Sequence, residues 1–272
     1  MKEKYVELCK DSSTQEEAFH RLIEIIRILR KECPWDKIQT HESLKKGMLE
    51  EAYEAVDAIN NKDMANLREE LGDVLLQVVF HGVLAEEEKA FEMKDIINDE
   101  CNKMIRRHPH IFSTENIKSI DKLIEKWENI KSREHGEQCY ADRLKNVPAA
   151  LPALLRSEKV QKRAAEAGFD WDDAEGAFNK LKEEAEELRE ACSEGDQDSV
   201  NEEFGDLLFS MVNISRFLDV NPEESLNGCT AKFIKRFEYM ENAAIQSGRS
   251  LDQMKLSEMD VLWEEAKLNL KK

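Results

Sequence analysis

Five acidic residues stand close together in this chain at spacings that would aim them from shared helix faces: Glu50, Glu51 and Glu54, then Glu70 and Asp73. A helix turns about 100° per residue, so Glu51 and Glu54 fall about 60° apart, Glu50 and Glu54 about 40°, and Glu70 and Asp73 about 60°. Between the groups, Asn60-Asn61-Lys62-Asp63 breaks the apolar period and supplies turn and N-cap residues. That predicts an antiparallel helical hairpin carrying acids on both arms. Like charges three and four apart oppose a helix by roughly 0.2–0.5 kcal/mol per pair, and no lysine is interleaved among the five to relieve them. The pattern calls for a cation. Carboxylate oxygens with no cysteine or histidine among them suit a hard ion, Mg²⁺ before Mn²⁺ or Ca²⁺, and disfavour zinc.

In an acidic chain a single Glu-x-x-Glu is most simply a solvated helix face. Repetition argues otherwise: Glu183, Glu184, Glu187, Glu203 and Asp206 reproduce the five at one constant offset of 133. Trp35 with Trp171, Trp127 with Trp263, Arg27 with Arg163 and Lys131 with Lys267 pair at 136, and Lys103 with Lys232 and Arg107 with Arg236 at 129. The small differences place length changes in loops. The chain therefore reads as two copies of one domain, residues 1–134 and 157–272, joined by a semi-ordered linker over 135–156 that contains Gly136, Pro148 and Pro152.

Richness in Glu, Lys, Leu and Ala, with no convincing strand pattern, predicts an all-α protein. A first helix is expected from about Gln15 to Arg30, with Phe19, Leu22, Ile23, Ile26 and Leu29 on one face, stopped at Cys33-Pro34. A second from about Ser43 and a third from about Met64 carry the first acids. The third becomes apolar nearly all round at Val74 to Phe80, which predicts packing against another subunit or the second copy. A further helix near Phe91 to His108 ends in Lys103, Arg106 and Arg107. His108 and His110 flank a proline with no third nitrogen or sulfur ligand nearby, so they read as a turn rather than a metal site. Trp127 and Lys131, four apart, face the same way.

A formal charge of -18 and a pI near 4.9 argue against a nucleic-acid backbone as partner. Six scattered cysteines without metal-site spacing read as reduced thiols of a cytoplasmic protein. No apolar run approaches the roughly 18 residues of a membrane span.

Clustered carboxylates with a few fixed cations are what handling a phosphate chain requires. An ion neutralises phosphate oxygens, Lys and Arg take the remaining charge, and a spare carboxylate, Glu50 in one copy or Glu183 in the other, serves as base toward a water. For the tryptophans two readings stand side by side, contact with a nucleobase and ordinary core packing. Spacing alone does not say which phosphorus is attacked.

Cys-Pro-Trp-Asp (33–36), Leu-Glu-Glu-Ala-Tyr-Glu (49–54), Glu-Leu-Gly-Asp (70–73), Arg-Arg-His-Pro-His-Ile-Phe (106–112), Gly-Phe-Asp-Trp-Asp (168–172) and Glu-Phe-Gly-Asp-Leu-Leu-Phe (203–209) together resemble the two-domain MazG nucleoside triphosphate pyrophosphohydrolases. The resemblance spans nearly the whole chain, in order. It implies two tandem helical-bundle domains, each four-helix core completed by homodimerisation, and Mg²⁺-dependent cleavage between the α- and β-phosphates to give nucleoside monophosphate and pyrophosphate. It further implies metal ligands Glu51, Glu54, Glu70 and Asp73 in the first copy and Glu184, Glu187, Glu203 and Asp206 in the second. Around the substrate it places Lys232, Arg236, Trp263 and Lys267, with Lys103, Arg107, Trp127 and Lys131 as counterparts. The implied role is clearing non-standard nucleotides or adjusting nucleotide pools.

Gly-Phe-Asp-Trp-Asp introduces the second copy where Cys-Pro-Trp-Asp introduces the first, so the two sites need not share a substrate. Both keep every acid. A rival reading from another class is a non-catalytic helical dimer that senses nucleotides or regulates a partner.

Overall fold

A computed structural model of the chain describes residues 5–113, 119–134, 136, 137 and 139–270. Among these there is no strand. The chain divides into two compact units, Met1–Ile130 and Lys131–Lys272.

In the first unit, α1 (Gln15–Glu32) starts at a reciprocal capping box between Thr14 and Glu17. It ends at Cys33, where Pro34 cannot continue the ladder. Arg30, its side chain only 9% exposed, donates to the carbonyls of Asp36 at 2.5 Å and Gln39 at 2.9 Å. Those bonds fix the following turn, and α2 (His41–Asn60) leaves it capped by Thr40. α3 (Met64–Glu87) is capped by Asp63, whose carboxylate accepts from the amides of Ala65 and Asn66. Between them Lys62 takes a left-handed φ of 56°. The expected hairpin at Asn60–Asp63 is formed.

Ile23 and Ile26 of α1, Leu44 of α2, and Val79, Phe80, Val83 and Leu84 of α3 bury one another in a core that Met93 of α4 (Met93–Arg107) closes. Arg27 with Glu86 and Arg30 with Glu87 fasten α1 along the same end of α3. Among the described residues the half of α3 nearer the turn is covered by α2 alone; Leu71 and Leu75, beside the acids, are exposed. The single domain thus buries more of α3 than its apolar run led us to expect, because α1 and α4 wrap the part beyond Leu76, while the face with Leu71 and Leu75 stays open. Next, α5 (Pro109–Phe112) is one helical turn with proline at its first position, and α6 (Ile120–Glu134) runs across the division between the units.

The second unit opens with α7 (Tyr140–Lys145), which packs on α8 (Ala153–Glu166); α7 lies wholly and α8 partly within the stretch between the two copies. α9 (Ala174–Glu194) and α10 (Gln197–Phe217) form the second hairpin. Gly195, φ 78°, makes the left-handed turn and Asp196 caps α10. They occupy the places that Lys62 and Asp63 hold in the first. α8 packs on both α10 and α11 (Pro222–Gln246), and α12 (Leu256–Asn269) returns along α11. Most buried residues of α9 and α10 are small or polar, Ala177, Ala191, Ser210 and Ser215 among them, with Val212 and Ile214 the apolar pair. Phe204, Leu208, Phe209 and Met211 lie exposed on α10. No helix among the described residues is long and apolar enough to cross a membrane.

Candidate active sites in two helical hairpins

Each hairpin brings carboxylates from both of its arms to one point. In the first, one oxygen each from Glu51, Glu70 and Asp73 lie within 4.8 Å of one another; in the second, the same holds for Glu184, Glu187 and Glu203. Glu70 and Glu184 are buried, at 9% and 4% exposure. Oxygens sharing one Mg²⁺ at 2.0–2.1 Å stand about 3 Å apart when adjacent and about 4.2 Å when opposite. Among three ligands at most one pair can be opposite, so the oxygens would have to draw in by up to about 1.8 Å, within reach of side-chain rotation, to close either triad on an ion. The donor set fits a hard cation: all oxygen, from elements held by the hairpin. No candidate metal group among the described residues contains a histidine or cysteine.

Three of the four expected ligands meet in each half, and the absentee differs. Glu54 stays exposed and outside the first triad, and Asp206 outside the second. Both still act at short range: the charge of Glu54 bears on Glu51 and Glu70, and that of Asp206 on Glu203.

The electrostatics show what the bare clusters cost. Burial, then Asp73, Glu54 and Glu50, push the carboxyl of Glu51 up. Glu70 is raised by burial and by Glu54, Asp73, Glu69 and Glu51. In the second half burial and Glu184 raise both Glu187 and Glu203. Charged groups crowded against their preference are what a divalent ion would relieve.

Of the two base candidates, Glu50 pairs with Lys46 at 2.7 Å and Glu183 with Lys180 at 2.7 Å. Neither belongs to a triad. Both lie one residue before a triad glutamate, Glu51 or Glu184, toward the solvent side of the hairpin.

The expected basic and aromatic residues gather separately. On α11 and α12, the Arg236 guanidinium lies over the Trp263 ring at 5.6 Å and Phe233 packs on the same ring at 5.1 Å. Lys267 pairs with Glu264 at 2.6 Å, and Lys232 is exposed. In the first unit, Arg107 lies over Trp127 at 5.4 Å and His108 meets that ring edge-on at 4.9 Å. Lys103 pairs with Glu100, and Lys131 sits near the end of α6. Both tryptophans are half-buried, each with an arginine on its face. The arrangement is an amphipathic ring under a cation, neither pure core nor a bare surface. Trp35 is 61% exposed, and Trp171 leans on α9 where Gly176 leaves room; a Cβ there would meet its ring at 3.0 Å.

One charged side chain of the second cluster went unread in the sequence. Lys180, at i−3 and i−4 from Glu183 and Glu184, places its Nζ 2.7 Å from each. The spacing was the available signal.

The fold and these clusters define a class: a tandem all-α protein with two carboxylate centres, each on a helical hairpin, suited to a hard divalent ion. The family follows from comparison. The MazG nucleotide pyrophosphohydrolase domain matches residues 39–112 and again 173–240, and the chain belongs to that family. Both matches contain a complete hairpin with its acids. Trp127, Lys131, Trp263 and Lys267 lie beyond them. A Thermotoga maritima protein named nucleoside triphosphate pyrophosphohydrolase/pyrophosphatase MazG is 44% identical over 251 residues, 92% of this chain and 95% of its own. An Escherichia coli K12 protein named nucleoside triphosphate pyrophosphohydrolase is 38% identical over 252 residues, 91% of this chain and 96% of its own. A crystal structure of a mazG-related protein from Thermotoga maritima covers 42% of this chain and 98% of its own at 29% identity, with a TM-score of 0.37, too low to bear on the fold.

Proposed function

We propose that this protein hydrolyses nucleoside triphosphates to nucleoside monophosphate and pyrophosphate, with Mg²⁺ as the ion and Mn²⁺ as a substitute. The observation that carries the reading is the duplicated convergence of three carboxylate oxygens within 4.8 Å in a chain of the MazG family.

Glu51, Glu70 and Asp73, with Glu54 drawn in, would hold the ion in the first half; Glu184, Glu187 and Glu203, with Asp206, in the second. A bound divalent ion supplies charge neutralisation at the phosphate oxygens and a lowered pKa for water. The chain's own residues do the rest. Glu50 or Glu183, kept near a lysine and outside the triad, takes a proton from the attacking water. Lys232 and Arg236 receive phosphate charge, Lys267 adds to it, and the Trp263 ring offers a face for the base. Lys103, Arg107, Trp127 and Lys131 are the counterparts in the first copy. The cellular role we infer is removal of non-canonical nucleotides or control of nucleotide pools, in the cytoplasm, where six free cysteines remain reduced.

We further propose that the working form is a homodimer. Leu71 and Leu75 on α3, and Phe204, Leu208 and Phe209 on α10, are exposed beside the acids. Gly72 and Gly205 stand among them, where an added Cβ would touch nothing in this chain. A mid-helix glycine costs about 1 kcal/mol relative to alanine, so a second copy approaching this face gives both glycines a reason.

Product analysis tests the activity. Incubation with triphosphates and Mg²⁺ should yield monophosphate and pyrophosphate, and Glu51→Gln with Glu184→Gln in one chain should abolish it. Diphosphate with orthophosphate, or no turnover by the wild type, overturns the reading. Arg236→Ala should raise KM at the second site by at least roughly tenfold, in line with the 1.5–3 kcal/mol typical of a charge-assisted contact.

A further inference from the structure

The second acid cluster holds a cation that the first lacks. In the second, Lys180 reaches both Glu183 and Glu184 at 2.7 Å, and the Glu184 side chain it meets is only 6% exposed. Its charge also acts on Glu187 and Glu203, so it bears on all three triad members. The contacts hold the ammonium well above its ordinary pKa, first through Glu183 and then through Glu184. The offset that aligns the acids puts Gly47 at the same position of the first copy. Among the described residues no ion pair reaches Glu51, Glu54, Glu70 or Asp73, and Lys46 stops at Glu50.

A cation tethered to a carboxylate cluster competes with any free cation for the same oxygens. To enter the second cluster a divalent ion must either displace Nζ from Glu184 or sit beside a like charge. At the first cluster neither obstacle exists. We propose that Lys180 is a resident counter-ion that sets the second cluster's affinity for divalent cations below that of the first, where Gly47 leaves the acids uncompensated. The inference rests on the metal-binding reading above and adds a rank order to it: the first half loads at lower ion concentration, and the second only as its lysine yields.

Mn²⁺ binding to the full chain, followed by electron paramagnetic resonance of the free ion, tests this without turnover. Glu203→Gln isolates the first cluster and Glu51→Gln the second, with circular dichroism melts to check folding. The first should bind about tenfold tighter, equivalent to about 1.4 kcal/mol. Lys180→Gln in the Glu51→Gln chain should recover most of that difference and change nothing in the Glu203→Gln chain. Conversely, Gly47→Lys should weaken the first cluster; its Cβ would meet only the flexible end of Gln77, at 3.0 Å. Two clusters that bind Mn²⁺ alike and ignore both substitutions overturn the proposal and leave the metal reading standing. A wild-type chain that binds no Mn²⁺ overturns both.

Discussion

Glu51 and Glu184 occupy equivalent positions, yet the same substitution should affect them differently in the ion-free protein. Glu51 has two carboxylate neighbours with oxygens within 4.8 Å and no cation among its described partners. At that distance each repulsion is about 0.9 kcal/mol in water, and physiological salt trims it to about 0.5 kcal/mol. Neutralising Glu51 as Gln therefore removes about 1 kcal/mol of strain, equivalent to roughly 2–4 °C in Tm for a unit of this size. Glu184 also loses two such repulsions, but with them goes an attraction to Lys180 at 2.7 Å. On the same footing that attraction is about 1.1 kcal/mol, so the terms cancel to within about 0.5 kcal/mol. The assay is differential scanning calorimetry at pH 7 in EDTA and physiological salt. Glu51→Gln should melt higher than wild type and Glu184→Gln within about 2 °C of it. A fall in Tm for Glu51→Gln, or an equal rise for both, would refute the electrostatic account.

Other consequences follow from the same contacts. Because Glu51, Glu70, Glu187 and Glu203 have pKa values raised in the folded chain, each binds its proton more readily folded than unfolded. Their effect is to lower stability as pH rises above about 4.5, while His81, its pKa lowered by burial and by His41, favours the unfolded chain as pH falls below about 6.5; in a His81→Gln chain, therefore, Tm in EDTA should climb on acidification toward pH 4.5. Glu258, held down to about 2 by Arg249, works the other way, its contribution fading only from 4.5 to about 2. A Tm of that His81→Gln chain in EDTA that falls steadily toward pH 4.5 would contradict this balance. Lys62→Gly should stabilise the first hairpin by about 0.5–1 kcal/mol in thermal melts, since Gly195 already makes the equivalent left-handed turn without a side chain. Phe204→Asp with Leu208→Asp should shift the particle to a monomer by light scattering; an unchanged mass would remove the exposed face of α10 from the dimer proposal.

Much of the architecture was legible because helices declare themselves locally. The 3.6-residue periodicity placed α1, α2 and α3 within two residues of their starts, and Asp63 announced its own cap. The constant offset exposed the second hairpin even though its turn uses Gly195 in place of Lys62. What the sequence withheld was radial and long-range. Spacing puts four acids on facing helices but not at equal depth, so it could not show that Glu70 and Glu184 are buried while Glu54 and Asp206 remain outside the triads. It could not show that the distal half of α3 is covered by α1 and α4, because that depends on a contact formed across some 60 residues of chain, of which Arg27 with Glu86 is one. Lys180 was the opposite case: readable from its i+3 and i+4 partners, but hidden by attention to the acids alone.

The most direct measurement is the anomalous scattering of Mn²⁺ in crystals grown with an α,β-methylene nucleoside triphosphate. The account predicts a peak bounded by Glu51, Glu70 and Asp73 and another by Glu184, Glu187 and Glu203, each touching phosphate oxygens on its open side. Peaks confined to other surface acids, with the triphosphate bound away from both hairpins, would contradict it.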